Sequence, residues 1–221
     1  MYRAHVKICG ITNIVDAQMA EREGVDALGF VFWPQSPRAV AVQRVAEIIK
    51  VLSPLTAKIG VFRDAGTGEA EKAVRRTGLT GAQICGEPQG SGWNNLAHRV
   101  RLIRVITIGT EDLPEEPPWN FCYDYLFDPG IDDLPGGDDH AFDWSRLPNN
   151  EDEVWGRIYV SGGLNSDNVG ALIKAHRPYG INISSVVESS SERKDQKLIH
   201  EFMDAVREAE YEVNCDLGKE K

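Results

Sequence analysis

Hydrophobic positions along the chain fall into eight short runs typical of β-strands, each followed by turn residues. These runs lie at 5–9, 27–32, 57–62, 81–84, 102–107, 122–127, 157–161 and 180–184. Helical patterns at 14–22, 42–52, 69–77, 93–100, 167–175 and 195–210 separate most of them, and Asn13 is the expected N-cap of the first helix. The connector 128–139 is instead polar and rich in Gly and Pro, with a short helix expected only near Trp144.

Strands that alternate with helices predict parallel pairing through crossover connections. Eight such units favour a single-domain α/β fold, a closed (β/α)8 TIM barrel, for which about 200–250 residues is the usual size. We assign residues 1–210 to this barrel and expect 211–221 to be a frayed C-terminal tail. An open doubly wound sheet is the alternative that the same alternation permits.

Composition narrows the partners of the protein. The 221 residues include 24 Lys+Arg against 34 Asp+Glu, a formal charge of −10, and the mean hydropathy is −0.33. Such acidity disfavours nucleic acid and anionic membrane surfaces. No run is apolar enough to span a membrane and the first residues show no leader pattern, so we expect a cytoplasmic protein. The four cysteines and five histidines lack disulfide or metal-ligand spacing, which predicts no metal site.

In a barrel of this kind, catalytic groups lie where the strands end and in the loops that follow. Alternation places His5, Lys7 and Cys9 on one side of the first strand, with the Cys9 thiol at its end. A thiol near a cationic side chain is readily deprotonated and serves as nucleophile or base. The alternative is that Cys9 is a small buried hydrophobic residue.

Asp128 ends the sixth strand and is the candidate acid, forming an acid/base pair with Cys9 across the barrel mouth. The alternative is an aspartate that begins the turn at Pro129 and Gly130. Deeper in the barrel, Asp124 and Lys7 both face inward, and we expect them to form a buried ion pair.

Three later loops carry candidate binding groups. Arg38 follows two prolines and suits a planar carboxylate, although it could equally be a solvated loop charge. The loop after the seventh strand contains Gly162 and Gly163, and the loop after the eighth contains Ser184 and Ser185. In barrels these two loops often form a phosphate site, so the four residues predict a phosphate cradle.

Several motifs together resemble those of phosphoribosylanthranilate isomerase, the barrel enzyme of tryptophan biosynthesis. They are KICGIT at 7–12, GFVF at 29–32, SPR at 36–38, GVF at 60–62, FDW at 142–144, SGGL at 161–164 and SS at 184–185. The resemblance runs from about residue 5 to 205 and implies an Amadori rearrangement of phosphoribosylanthranilate without a cofactor. It also implies a monomer or a homodimer.

By this resemblance Asp128 is the general acid and Cys9 the general base. Arg38 would hold the anthranilate carboxylate, while the loops at Gly163 and Ser185 would hold the phosphate. Lys7, Arg38 and Arg104 are expected to supply positive potential for this anionic substrate.

The chain also departs from the family pattern. Cys85 replaces the histidine of a QLHG motif, and Asp138 and Asp139 replace the second half of GGTG. A DVSSGVE motif becomes NISSVVE at 182–188, which puts Val186 where a glycine is usual, and only Lys194 and Asp195 remain of PGxKD. These changes predict a working isomerase with weakened substrate affinity. The alternatives are a noncatalytic binding or assembly partner, and a related barrel enzyme acting on another phosphosugar.

Overall fold

The computed structural model describes residues 1–109, 113, 116–122, 124–130, 143–148 and 153–219, and in it eight parallel strands form a closed barrel. The strands are β1 (His5–Ile8), β2 (Ala27–Val31), β3 (Ala57–Arg63), β4 (Gly81–Cys85), β5 (Arg101–Thr107), β6 (Asp124–Asp128), β7 (Arg157–Ser161) and β8 (Gly180–Ile183). Each strand pairs with the next, and β8 pairs with β1. The predicted barrel is confirmed, and the open sheet is wrong because no edge strand remains among these eight.

Helices connect most of the strands on the outside of the barrel. They are α1 (Ile14–Arg22), α2 (Val42–Ile49), α3 (Thr67–Thr77), α4 (Trp93–Ala97), α5 (Val169–His176) and α6 (Gln196–Lys219). Asn13 caps α1 as predicted, because its side chain accepts a hydrogen bond from Asp16 N at 2.9 Å. Short 3-10 turns lie at Trp144–Arg146, Glu153–Trp155 and Ser185–Val187, and a small hairpin pairs β9 (Glu188–Ser190) with β10 (Arg193–Lys194).

Alternation along the strands divides the buried side chains into two layers. One set packs between the barrel and the helices and forms the main core. A smaller cluster around Ile59, Ile103 and Leu126 fills the inside of the barrel. Residues two apart on a strand share a face, so Asp124 and Asp128 on β6 point inward with Leu126. This interior layer supports the functional groups at the carboxyl ends of the strands.

Helix α6 differs from the prediction for the C-terminal segment. It continues to Lys219, so 211–219 is helical rather than frayed. Val213 is buried, and the Asn214 side chain accepts a hydrogen bond from Tyr2 N and donates one to Tyr2 O. The expectation of a frayed tail was wrong because these contacts link the last helix to the first residues of the chain, which a local reading of the polar tail does not show. No helix in the described ranges is long and apolar enough to cross a membrane.

The predicted Lys7–Asp124 ion pair is also wrong. Asp124 is the first residue of β6 and is 1% exposed; Arg101 donates to it and Arg157 lies 3.6 Å away. Those arginines begin β5 and β7, so the pairing is formed between neighbouring strands at the amino-terminal end of the barrel. Lys7 lies nearer the carboxyl-terminal end of the barrel and donates a hydrogen bond to Asn182 instead. That two side chains both point into the barrel does not tell how far along the barrel axis each of them lies.

Replacing Asp124 with asparagine is expected to lower the free energy of unfolding by about 3 kcal/mol, since it removes the carboxylate that the arginines share. Urea denaturation at pH 7 measures this change. The matched control is Asp204→Asn, which removes an exposed partner of Arg207 and should change the free energy by less than about 1 kcal/mol. Equal stability of the Asp124 variant and the wild type would contradict a stabilising role.

Candidate active site

Cys9 lies directly after β1, where the closure of the barrel positions it. Its backbone N–H donates to Ile183 O at 2.8 Å, and the Ser184 hydroxyl donates to Cys9 O at 3.2 Å. Both contacts come from the end of β8, so first and last strands together position the thiol. The side chain is partly exposed at the barrel mouth rather than buried in the core. The catalytic role of Cys9 stays a prediction.

Two glycines leave space beside this thiol. A methyl group added at Gly29 on β2 would lie 2.9 Å from both Cys9 Sγ and Lys7 Nζ, so the two side chains meet over this strand. Gly10 has a φ of +80°, and an added methyl group would collide with the stem of Arg38. Arg38 therefore crosses the backbone immediately after Cys9.

Arg38 forms a fork with Glu188, donating from Nε at 2.8 Å and from Nη2 at 2.7 Å. Lys194, whose side chain is fully buried, donates to the same carboxylate at 2.7 Å and to Ser184 O at 3.0 Å. Burial opposes ionisation of Glu188, but hydrogen bonds from both cations outweigh it and lower the pKa of the carboxyl. The bonds to Glu188 raise the pKa of Arg38, whereas burial lowers that of Lys194.

The predicted carboxylate-binding residue thus already holds a carboxylate of its own chain. Arg38 lies beside Cys9 as a mouth residue must, and it is not the solvated loop charge of the alternative reading. Binding of a substrate carboxylate by Arg38 stays a prediction. The sequence did not predict the ion pair between Glu188 and Lys194. The retained Lys194-Asp195 dipeptide was the one indication that Lys194 has a role.

Asp128 ends β6 at the same mouth and is partly exposed. Its carboxylate accepts a hydrogen bond from Gly130 N at 3.0 Å, which is the turn contact that the alternative interpretation predicted. The turn role does not exclude chemistry, because the second carboxylate oxygen takes no part in that bond.

Cys85, at the end of β4, lies close enough to Cys9, Asp128 and Lys7 to interact with the charge of each. Burial is the main cause that raises the pKa of this thiol to about 12; a hydrogen bond from Gln83 opposes it, and Asp128 and Cys9 contribute in the same direction as burial. Lys7 acts on the same thiol in the opposite direction. Cys9, Asp128 and Lys7 therefore all lie within electrostatic range of one point at the mouth. Cys85 itself is neutral at physiological pH.

The two predicted phosphate loops follow β7 and β8. Gly162 and Gly163 have φ values of +89° and +63°, and a methyl group on Gly162 would collide with Pro129. Ser184 bonds to Cys9 O, and Ser185 begins the 3-10 turn. The two loops lie side by side because Ser161 pairs with Asn182 in the β7–β8 ladder. Phosphate binding there stays a prediction.

Val186 does not strain its loop. It lies within the 3-10 turn with a negative φ, and its side chain packs against the main core. The expected conflict between a β-branched residue and a glycine conformation is therefore absent.

Arg104 points outward from β5, donates to Ile84 O at 3.1 Å and lies over the Trp119 ring, while its charge still acts on Cys85 at the end of β4. Strand alternation places it with Leu102 and Ile106 on the helix side. Its contribution to the positive potential at the mouth stays a prediction. Asp138 and Asp139 lie outside the described residues. Within the described ranges, no group of three or more His, Cys, Asp or Glu side chains is arranged to hold a metal ion.

Comparison with known proteins assigns the family. Residues 6–205 match the family model described as N-(5'phosphoribosyl)anthranilate (PRA) isomerase. The chain belongs to this family. The isomerase of Pseudomonas aeruginosa strain LESB58 is 32% identical over 209 residues, covering 94% of this chain and 97% of that protein. The isomerase of Geobacter sp. strain M21 is 36% identical over 199 residues, covering 90% and 95%.

Solved structures of phosphoribosylanthranilate isomerases share the fold. That of Thermotoga maritima has a TM-score of 0.78 at 28% identity, covering 93% of this chain and 99% of the other. Another isomerase structure, in complex with reduced 1-(o-carboxyphenylamino)-1-deoxyribulose 5-phosphate, has a TM-score of 0.75 at 27% identity, with coverage of 93% and 99%. The resemblance inferred from the motifs is confirmed at the level of the family.

Glu188→Gln is expected to lower the free energy of unfolding at pH 7 by about 3 kcal/mol, because two cations at the buried carboxylate lose their counter-charge. The lowered pKa sets the sign of the pH dependence. The carboxylate stabilises the fold above the ordinary glutamate pKa of about 4.3, and this contribution is lost as the pH falls through the lower folded-state value.

Urea denaturation at pH 7 and at successively lower pH measures the difference between wild type and variant, which should shrink on acidification. Glu47→Gln, at an exposed pair with Arg44, is the control and should cost less than about 1 kcal/mol. A difference that does not depend on pH would show that charge at Glu188 is not the cause.

Proposed function

We propose that this protein is an N-(5'-phosphoribosyl)anthranilate isomerase of tryptophan biosynthesis. It converts its substrate into 1-(2-carboxyphenylamino)-1-deoxyribulose 5-phosphate by an Amadori rearrangement. The observation that carries the proposal is that the Cys9 thiol and the Asp128 carboxyl lie at one barrel mouth, at the carboxyl ends of β1 and β6. Family membership over nearly the whole chain supports the substrate.

The first step opens the ribose ring. Asp128, as the acid, donates a proton to the ring oxygen while the bond from C1 to that oxygen breaks. The nitrogen lone pair forms the C1=N bond, which gives a protonated Schiff base. Asp128 ends its strand at the open mouth, so a sugar ring above the barrel is within reach of its carboxyl group.

The second step removes the proton from C2. The Cys9 thiolate takes this proton, and the electrons of the C2–H bond form a C1=C2 double bond while those of C1=N return to nitrogen. The resulting enolamine then tautomerises to the ketone. The substrate gains one proton from Asp128 and loses one to Cys9, so substrate and product are isomers and the proposed reaction needs no oxidant, reductant or cofactor. The thiol must be ionised beforehand, which makes the charges around Cys9 important.

Binding groups are proposed at both ends of the substrate. Arg38 lies beside Cys9 and suits the anthranilate carboxylate, which would share or displace its present partner, Glu188. Backbone N–H groups near Gly162, Gly163, Ser184 and Ser185 suit the phosphate. In this arrangement the reacting sugar carbons lie between the two anchors, above Cys9.

The noncatalytic binding partner has less support than the enzyme. That alternative follows from the altered phosphate loops, and Val186 in one of them has an ordinary backbone conformation. A cytoplasmic monomer or homodimer is the expected form of the enzyme. One Thermotoga maritima structure is described as monomers generated from the dimeric isomerase, which keeps both states open here.

Cys9→Ala and Asp128→Asn are each expected to lower kcat by a factor of about 100 or more, because each removes a proton-transfer group. Steady-state fluorescence of substrate loss measures the rate. Cys215→Ala and Asp204→Asn, both in α6, make the same kinds of change away from the mouth and should retain the wild-type rate. Wild-type activity in either mouth variant would overturn the mechanism.

Val186→Gly is expected to lower KM by about three- to tenfold at unchanged kcat, since a glycine lets the backbone approach the phosphate and form one further hydrogen bond. Kinetics over a range of substrate concentrations separate the two constants. Val51→Gly, at an exposed turn after α2, is the matched control. An unchanged KM would mean that the loop tolerates valine.

A further inference from the structure

The barrel interior contains a buried ammonium group whose hydrogen-bonded partner is neutral. Lys7 is 3% exposed, and its Nζ donates to Asn182 Oδ1 at 2.6 Å. Asn182 in turn donates to the Ser161 hydroxyl at 3.0 Å. Among the described residues, no carboxylate lies within ion-pairing distance of Lys7. A buried ammonium held only by an amide is unfavourable unless another group gains from its charge.

The Cys9 thiol is the group placed to gain. Gly29 lacks a side chain, and Cys9 Sγ and Lys7 Nζ both occupy the space above it. Each atom lies 2.9 Å from the same methyl position, so the two are less than about 6 Å apart, a range in which opposite charges stabilise each other. A thiolate at Cys9 would be the nearest counter-charge for the ammonium.

The other cations beside Cys9 have a carboxylate partner, and the neighbouring thiol is neutral. Arg38 and Lys194, which both act on Cys9, share the Glu188 carboxylate. Cys85 remains protonated. The charged and titratable groups facing this mouth from the surrounding elements are Lys7, Arg38, Arg63, Asp64, Cys85, Asp128, Glu188, Glu192 and Lys194. Arg38, Arg63 and Lys194 each have a carboxylate partner. Among these described residues, Lys7 is the cation that has none.

We propose that Lys7 is a positioning residue that holds Cys9 as a thiolate, and that Asn182 makes this possible by binding the ammonium without neutralising it. The use of the thiolate as the base rests on the proposed function; the effect of Lys7 on the thiol does not.

The test is the rate of alkylation of Cys9 by iodoacetamide as a function of pH, quantified on the Cys9 peptide by mass spectrometry. Lys7→Met should slow alkylation at pH 7 by about tenfold and move the pH profile upward. Asn182→Asp keeps the lysine but gives it a carboxylate, and should slow alkylation severalfold. Lys58→Met removes another buried lysine, one that bonds to Ser53 O, and should leave the profile unchanged.

The outcomes separate this inference from the proposed function. If folded Lys7→Met and Asn182→Asp proteins alkylate at the wild-type rate, Lys7 has no such role, whatever the isomerase activity. If Lys7→Met fails to fold, Asn182→Asp decides by the same criterion. If the two variants alkylate more slowly than the wild type, and the wild type itself shows no isomerase turnover, the inference is sustained and the proposed function is refuted. In an active enzyme, Lys7→Met should lower kcat at unchanged KM.

Discussion

The structure depends on the ladder that joins the last strand to the first. In this ladder His5 pairs with Gly180, Lys7 with Asn182 and Ile8 with Ile183, although nearly the whole chain separates the partners. Closure satisfies the backbone groups that an open sheet would leave unpaired at its edges. It also brings the Ser184 hydroxyl to Cys9 O and fixes the amide beside the buried ammonium. The site is therefore a consequence of closing the barrel.

Charge at the mouth is arranged locally and does not follow the overall charge of −10. Two cations, Arg38 and Lys194, are held by one buried carboxylate, Glu188. Their positive charges therefore stabilise the fold until an anionic ligand enters. Lys7 is different because its partner is an amide. An acidic protein can in this way offer a site to a substrate with a carboxylate and a phosphate, since short-range groups dominate within a partly buried cleft.

The departures from the family motifs have different physical weights. Val186 is accommodated in an unstrained 3-10 turn, and Cys85 is a neutral thiol beside the reacting groups. Asn182 is the change with an electrostatic consequence, because it removes a carboxylate position next to a buried lysine.

Local sequence determined the elements: eight runs with strand character, the Asn13 cap and the approximate positions of the six helices follow from side-chain period and turn chemistry. The barrel and the placing of Cys9, Arg38 and Asp128 at one mouth follow from counting those units. Tertiary structure alone decided which inward residues meet. Lys7 pairs with Asn182 rather than Asp124, Arg38 with Glu188, and α6 extends to Lys219 against Tyr2. Alternation gives the direction of a side chain, whereas its depth and its partners depend on the register between strands distant in the chain.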